Sequence, residues 1–426
     1  MKNPLHVLGE ERRHFQSYPL NMRILLLTNL IYALVLPLLE LFVGAYILRE
    51  SGNTSLVVIY QLAVYTGILF SFLLNGYLLR VIPIAKLYSF GMLMSGAAMT
   101  FMMFLPELHL AGIAVTGLLM GTSYGFFWSN RDFLSLNSTD DTNRNYYFSL
   151  ETVFYTLTFI VMPLLGGFFI SVGETKGWYP PRFAYWTITV VVFALTVIAS
   201  WMVHCGSFRN PPKRQFVYFR FHRDWYWMLF MGACKGVAQA AMFFFPVLLI
   251  MGKVGNEGSL GLLVSGGALI SALVLYLIGR FSKPAHRVIV FGVGLLVFLL
   301  GGVTNMILFS AVGVIIYKVC DSLARPLLDA AYFPMQMRVI DHLSAIEHRN
   351  AFAYLFNHEF GLYAGRLAGC VMFLVAAKYV SPEFALRYVL VAIAVLQALS
   401  LPVARMLMKK MGLPAGSPQD SNEVLT

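Results

Sequence analysis

CGSFRNPPKRQFVYFRFHRD, from Cys205 to Asp224, is the longest break between apolar runs in this chain. It holds Pro211-Pro212 and five Lys or Arg residues, so it cannot lie in a bilayer and reads as a cytoplasmic linker. Six apolar runs precede it, at 22–48, 55–79, 84–105, 110–133, 146–170 and 183–204. Six follow, at 226–250, 258–279, 286–305, 308–335, 352–377 and 384–408. A spanning helix needs about 20 apolar residues. The pattern predicts twelve.

Composition agrees. Of 426 residues, 58% are hydrophobic and 12% charged, with a mean hydropathy of +0.71. A soluble domain carries about 25% charged residues. This excludes a soluble enzyme, a disordered chain and a fibrous repeat. The expected fold is an all-α membrane protein of twelve transmembrane helices in two pseudo-symmetric six-helix bundles. Its parts are a cytoplasmic segment 1–21, bundles 22–204 and 225–408, the linker 205–224 and a cytoplasmic tail 409–426.

With residues at helix ends given to the nearer side, Lys and Arg number 20 on the cytoplasmic side, six outside and five within helices. That asymmetry predicts cytoplasmic termini. It also explains the net charge of +11 through loops facing anionic lipid. Cys205, Cys234, Cys320 and Cys370 show no CxxC spacing, so neither a disulfide framework nor a zinc site is expected. The polar first twenty residues are unlike a cleaved signal peptide.

The halves resemble each other. Arg80 and Lys86 follow helix 2, and Arg280 and His286 follow helix 8, 200 positions on. Asn143-Arg144-Asn145 precedes helix 5, and His348-Arg349-Asn350 precedes helix 11 at an offset of 205. Two repeated halves joined by a basic linker resemble the major facilitator superfamily of secondary transporters, over essentially the whole chain. After helix 2 that family has a glycine, an acidic residue four positions on, then basic residues. Here Gly76-Tyr77-Leu78-Leu79-Arg80 puts an arginine in the acidic place, with Lys86 beyond. Arg80, Lys86, Arg280, Lys283 and Arg287 are left to bind helix ends and lipid phosphates. The resemblance implies that helices 1, 4, 7 and 10 line a cavity, that 2, 5, 8 and 11 flank it, and that 3, 6, 9 and 12 face lipid.

Ionisable residues inside a bilayer are costly and mark function. The candidates are Glu40, Arg131, Asp132, Glu151, Lys235, Lys318, Asp321, Arg325, Asp329, Glu359 and Arg366. None falls within helices 3, 6 or 9. In helix 10, Lys318, Asp321, Arg325 and Asp329 share one stripe with alternating sign, so neighbours three or four apart can neutralise each other. Such a stripe is either an ion-pair ladder or a path for substrate and protons. Pro326, mid-span, frees a backbone carbonyl and supplies a bend.

In helix 11, Glu359, Tyr363 and Arg366 share a face. Glu359 is expected to lie too far along the helix to pair with Arg366, which leaves Asp321 or Asp329 as partner. Arg325 and Arg366 are expected to bind an anionic part of the solute through their planar forks. Glu40 is a candidate proton carrier, or else a neutral hydrogen-bonded glutamate. Lys235, with Gln239 one turn on, is the matching cation in helix 7 unless it snorkels.

Arg131, Asp132, Arg144, Glu151 and Arg349, with Trp128, Asn130, Asn145 and Asn350, are read as a cytoplasmic gate or as helix caps. Gly166-Gly167 and Gly365 with Gly369 signal close helix packing. No Walker loop or HExxH appears, so no cofactor or metal is expected.

The expected function is proton-coupled secondary transport of a polar or charged small solute by alternating access, not enzymatic catalysis. The alternatives are an exporter or flippase of amphipathic molecules (a siderophore, a drug or a lipid headgroup), and a membrane-embedded lipid transferase for which Asp140-Asp141 is too little. The expected partners are the solute, protons and membrane lipids, without nucleic acid, for a monomer in a cell membrane.

Overall fold

The computed structural model describes residues 13, 15–139, 143–210, 218, 220–349 and 351–412. Its long helices are α1 (Leu20–Ser51), α2 (Thr54–Leu78), α3 (Ile84–Phe104), α4 (Leu110–Ser138), α5 (Arg144–Thr175) and α6 (Pro181–Val203). Then come α7 (Arg223–Leu249), extended by a π turn Ile250–Val254, α8 (Glu257–Phe281), α9 (Arg287–Leu308), α10 (Ala311–Glu347), α11 (Ala351–Tyr379) and α12 (Pro382–Lys410). Eleven of these are long and apolar enough to cross a membrane. The other is α10, the helix that carries Lys318, Asp321, Arg325 and Asp329. It also runs on to Glu347, well past the apolar run that ended at 335. The apolar pattern marks the bilayer stretch and not the helix.

The chain divides into two compact units. The first is Met1–Arg214 with Gly255–Ser265; the second is Gln215–Val254 with Gly266–Thr426. The start of α8 thus belongs with α1–α6.

Lipid tails are as apolar as Leu, so helices in a bilayer associate through close packing and hydrogen bonds. In the first unit α2 and α4 approach through Gly67 and Gly121; a Cβ on Gly121 would collide with the carbonyl of Val64. Gly52 ends α1 at φ 62°, a left-handed turn suited to glycine, and Asn53 then caps α2 by accepting the Ser55 N–H. Where the chain leaves α6, Asn210 accepts the Ile84 N–H at 2.7 Å and donates to the carbonyls of Leu79 and Ile82. The linker is thereby tied to the turn between α2 and α3.

In the second unit α7 and α11 pack through Gly236 and Gly365, where a Cβ on Gly365 would meet the carbonyl of Ala233. Two prolines shape the interior. Each lacks an N–H, so the carbonyl four residues earlier loses its helical donor. Pro326 in α10 frees the Ser322 carbonyl, and the Ser271 hydroxyl of α8 donates to it at 2.7 Å. Pro246 in α7 frees the Met242 carbonyl, and Arg325 donates to that one. With no water in the hydrocarbon, freed carbonyls must find such partners.

Candidate functional site

Four basic and three acidic side chains gather in the second unit. On α10, Asp321 is 0% exposed; it accepts from Lys318 at 2.8 Å and from Arg325 Nε at 3.0 Å. This is the alternating ladder, but it stops there. Asp329 does not continue it to Arg325. Instead it crosses to α7 and accepts from Lys235 at 2.7 Å. Lys235 is 8% exposed, which excludes snorkelling. Its ammonium lies 4.3 Å from the Tyr332 ring centre and 3.9 Å from that of Phe333, an aromatic cage that softens its desolvation.

Lys235, Arg325, Asp329 and Tyr332 border a cavity of about 160 Å³. Lys235, Gln239 and Phe243 of α7 form part of its wall, with Arg325, Asp329 and Tyr332 of α10. Phe291 of α9 and Gln397 and Ser400 of α12 complete the polar and aromatic lining. The resemblance had turned α9 and α12 toward lipid; both also present side chains to this cavity. Tyr332 directs its hydroxyl to His358 Nε2 at 2.6 Å, which fixes the ring beneath Lys235.

Arg366 corrects an expectation. It pairs with Glu359, at 3.5 Å, and not with Asp321 or Asp329. Two helical turns separate them, but long side chains on a helix lean toward its N-terminus, and an extended arginine covers the distance. Its Nε and Nη2 both donate to Gln239 Oε1, at 3.0 and 2.9 Å. Arg366 thus stands behind the cavity and sets the amide orientation of a wall residue.

The first unit holds a second cluster. Arg131 of α4 donates to both oxygens of Glu151 on α5, Nε to Oε1 at 3.1 Å. Asn29 donates to Glu151 at 2.6 Å and to Tyr147 at 3.0 Å, while Tyr88 donates to Asn29. Asp132 bonds Arg131 at 2.8 Å on the exposed side. Arg131 also lies over Trp128, 5.4 Å from its ring. Near the ends of α1 and α5, Arg49 bridges Glu174, at 2.9 Å, and Glu257, at 2.6 Å; Tyr185 donates to Glu257.

The remaining candidates are dispersed. Arg144 reaches Thr139 at 3.4 Å. Arg349 stacks over Tyr218 and Phe221 and donates to the Arg220 carbonyl. Glu40 is half-buried in α1 and Tyr363 half-buried in α11. Asn350, Asp140-Asp141 and the Asn145 side chain lie outside the described residues, as do 1–12, 211–217 and 413–426.

The family model described as Major Facilitator Superfamily matches residues 24–369. The chain belongs to the Major Facilitator Superfamily. It is a membrane transporter. Among curated proteins it is 24% identical to the uncharacterized protein YqgE of Bacillus subtilis, over 81% of this chain and 80% of that one. It is also 24% identical to an uncharacterized protein in the sodM 3' region of Geobacillus stearothermophilus, over 33% of this chain and 65% of that one.

Solved superfamily structures share the fold. A bacterial homologue of the iron transporter ferroportin, inward-facing, has a TM-score of 0.64 at 15% identity, covering 92% of this chain and 98% of that one. A bacterial homologue of the human lysosomal transporter Spinster gives 0.65 at 13%, covering 95% and 100%. The nucleoside transporter NupG gives 0.63 at 13%, covering 92% and 100%.

Within this superfamily member, reading only the ionisable residues missed Gln397, Ser400 and Tyr332. The signal for Gln397 was present: an amide in the middle of an apolar run is nearly as costly there as a charge. Pro246 carried a second signal, since the carbonyl it frees is the one Arg325 takes.

Proposed function

We propose that this transporter moves a polar or charged small solute by alternating access, coupled to protons, and that the cavity of the second unit holds the solute. One observation carries the reading: Lys235, Arg325 and Asp329 meet around a single cavity in the middle of their helices. Helix packing alone is served more cheaply by small residues, and charges in lipid cost several kcal/mol. The loop charges favour cytoplasmic termini, and the bacterial sources of its relatives favour a bacterial plasma membrane.

Among Glu40, Asp321, Asp329 and Glu359, the geometry favours Asp329 as proton carrier. Asp321 is shut in between two cations. Asp329 has one cation, and its side chain is 50% exposed. A proton there releases Lys235 and leaves the cavity more positive, so anion and proton favour each other's binding.

The test is a proteoliposome uptake screen with and without a pH gradient, followed by Asp329→Asn. The variant should lose gradient-driven accumulation by tenfold or more and keep counterflow exchange. Undiminished accumulation would move the proton to another carboxylate.

A further inference from the structure

The charges inside the second unit do not cancel. Lys235 is matched by Asp329 and Arg366 by Glu359, but Lys318 and Arg325 share Asp321. The excess of one positive charge therefore sits on that triad. Lys318 is the more hidden member, while the Arg325 side chain is 33% exposed and lines the cavity. Arg325 commits Nε to Asp321 and Nη2 to the Met242 carbonyl. Among the described residues its Nη1 takes no acceptor.

On α12, Gln397 is 3% exposed and lines the same cavity, and among the described residues its Oε1 has no hydrogen-bond partner. Its neighbour Ser400 donates its own hydroxyl to the Gln397 main-chain carbonyl and so cannot supply one. A buried acceptor without a donor is costly, as is an uncompensated cation in the bilayer. One ligand relieves both if it is an anion that carries a donor. The enclosed part suits a small ligand. A cavity of about 150 Å³ holds a benzene-sized ligand of about six non-hydrogen atoms, and this one measures about 160 Å³.

Building on the transport reading above, we propose that the solute is a small monoanion, a carboxylate bearing a hydroxyl or amide donor. Its carboxylate lies against Arg325, and its donor meets Gln397 Oε1 once that amide, now closed off from the cavity, turns to face it. The anion completes the charge count that Lys318 and Arg325 leave open.

Four solutes of matched size separate the possibilities: lactate (anion with donor), butyrate (anion without one), alanine (zwitterion) and lactamide (neutral with donor). Binding is read as thermal stabilisation of the purified full chain, and transport as counterflow in proteoliposomes. Lactate should bind best, ahead of butyrate by about fivefold, the worth of one hydrogen bond. In Gln397→Leu that preference should vanish while the ligand-free protein melts no lower, because the variant removes an unsatisfied amide. Equal or stronger binding of alanine or lactamide, binding of none of the four, or an unchanged lactate preference in Gln397→Leu would each overturn the assignment. Failure of the transport reading looks different: lactate binds selectively, but no solute exchanges.

Discussion

In the first unit Glu151 receives hydrogen bonds from Arg131, Asn29 and Tyr147, and its side chain is shut away. In the second, Asp329 meets Lys235 alone among the described residues, and half of its side chain remains open beside a cavity. Both clusters place charge among apolar helices, but the central carboxylate of the first is enclosed while that of the second opens on a cavity. A buried ion pair with all its partners stabilises a particular packing. One with an open edge pays the same desolvation without closing the circuit. On the proposed reading, the first is a structural knot and the second is the place that takes the solute.

The largest effect should come from breaking the knot. Arg131→Ala leaves Glu151 buried without its cation, which costs about 3–5 kcal/mol, whereas Arg131→Met with Glu151→Leu should recover most of that. Thermal unfolding in detergent measures both. A single variant that melts like the wild type would erase the distinction between the clusters.

Next is Arg325→Lys. A lysine still balances Asp321 but lacks the fork that also reaches the Met242 carbonyl and the cavity. Counterflow should fall by about tenfold or more with folding kept. Wild-type exchange would reduce Arg325 to a rung of the ladder.

Arg366→Lys sharpens the comparison from behind the wall. It stands behind the wall residue Gln239, so exchange should fall roughly fivefold, about one hydrogen bond's worth. A loss as deep as that of Arg325→Lys would place Arg366 in direct contact with the solute. The smallest effect belongs to Ser271→Ala, which strips the donor from the carbonyl freed by Pro326. It should lower stability by about 1 kcal/mol and leave transport alone. Lost transport at full stability would make the bend in α10, rather than the charges, the working part.

The ladder Lys318–Asp321–Arg325 was legible because partners three and four apart on one helix follow from helical geometry alone. Asp329 was legible as a charge but not as the partner of Lys235, which lies 94 positions away on α7. Nothing in the spacing of α10 says which helix it faces. Arg366 was misassigned for a related reason: rise per residue set the separation from Glu359, but the reach of a leaning guanidinium did not enter. Gln397 was passed over because its side chain carries no charge.

The sequence by itself determined the twelve apolar runs, their division at 205–224 and the costly charges inside them. Water and lipid act on each segment separately, so those signals are local. Only the tertiary structure decided that Gln397 of α12 and Arg325 of α10 line one cavity, and that Arg325 fills the carbonyl freed by Pro246. The physical reason is that a side chain's hydrogen-bond partner is chosen by helix packing. Glycines such as Gly236 and Gly365 set that packing through backbone approach, and sequence distance does not measure it.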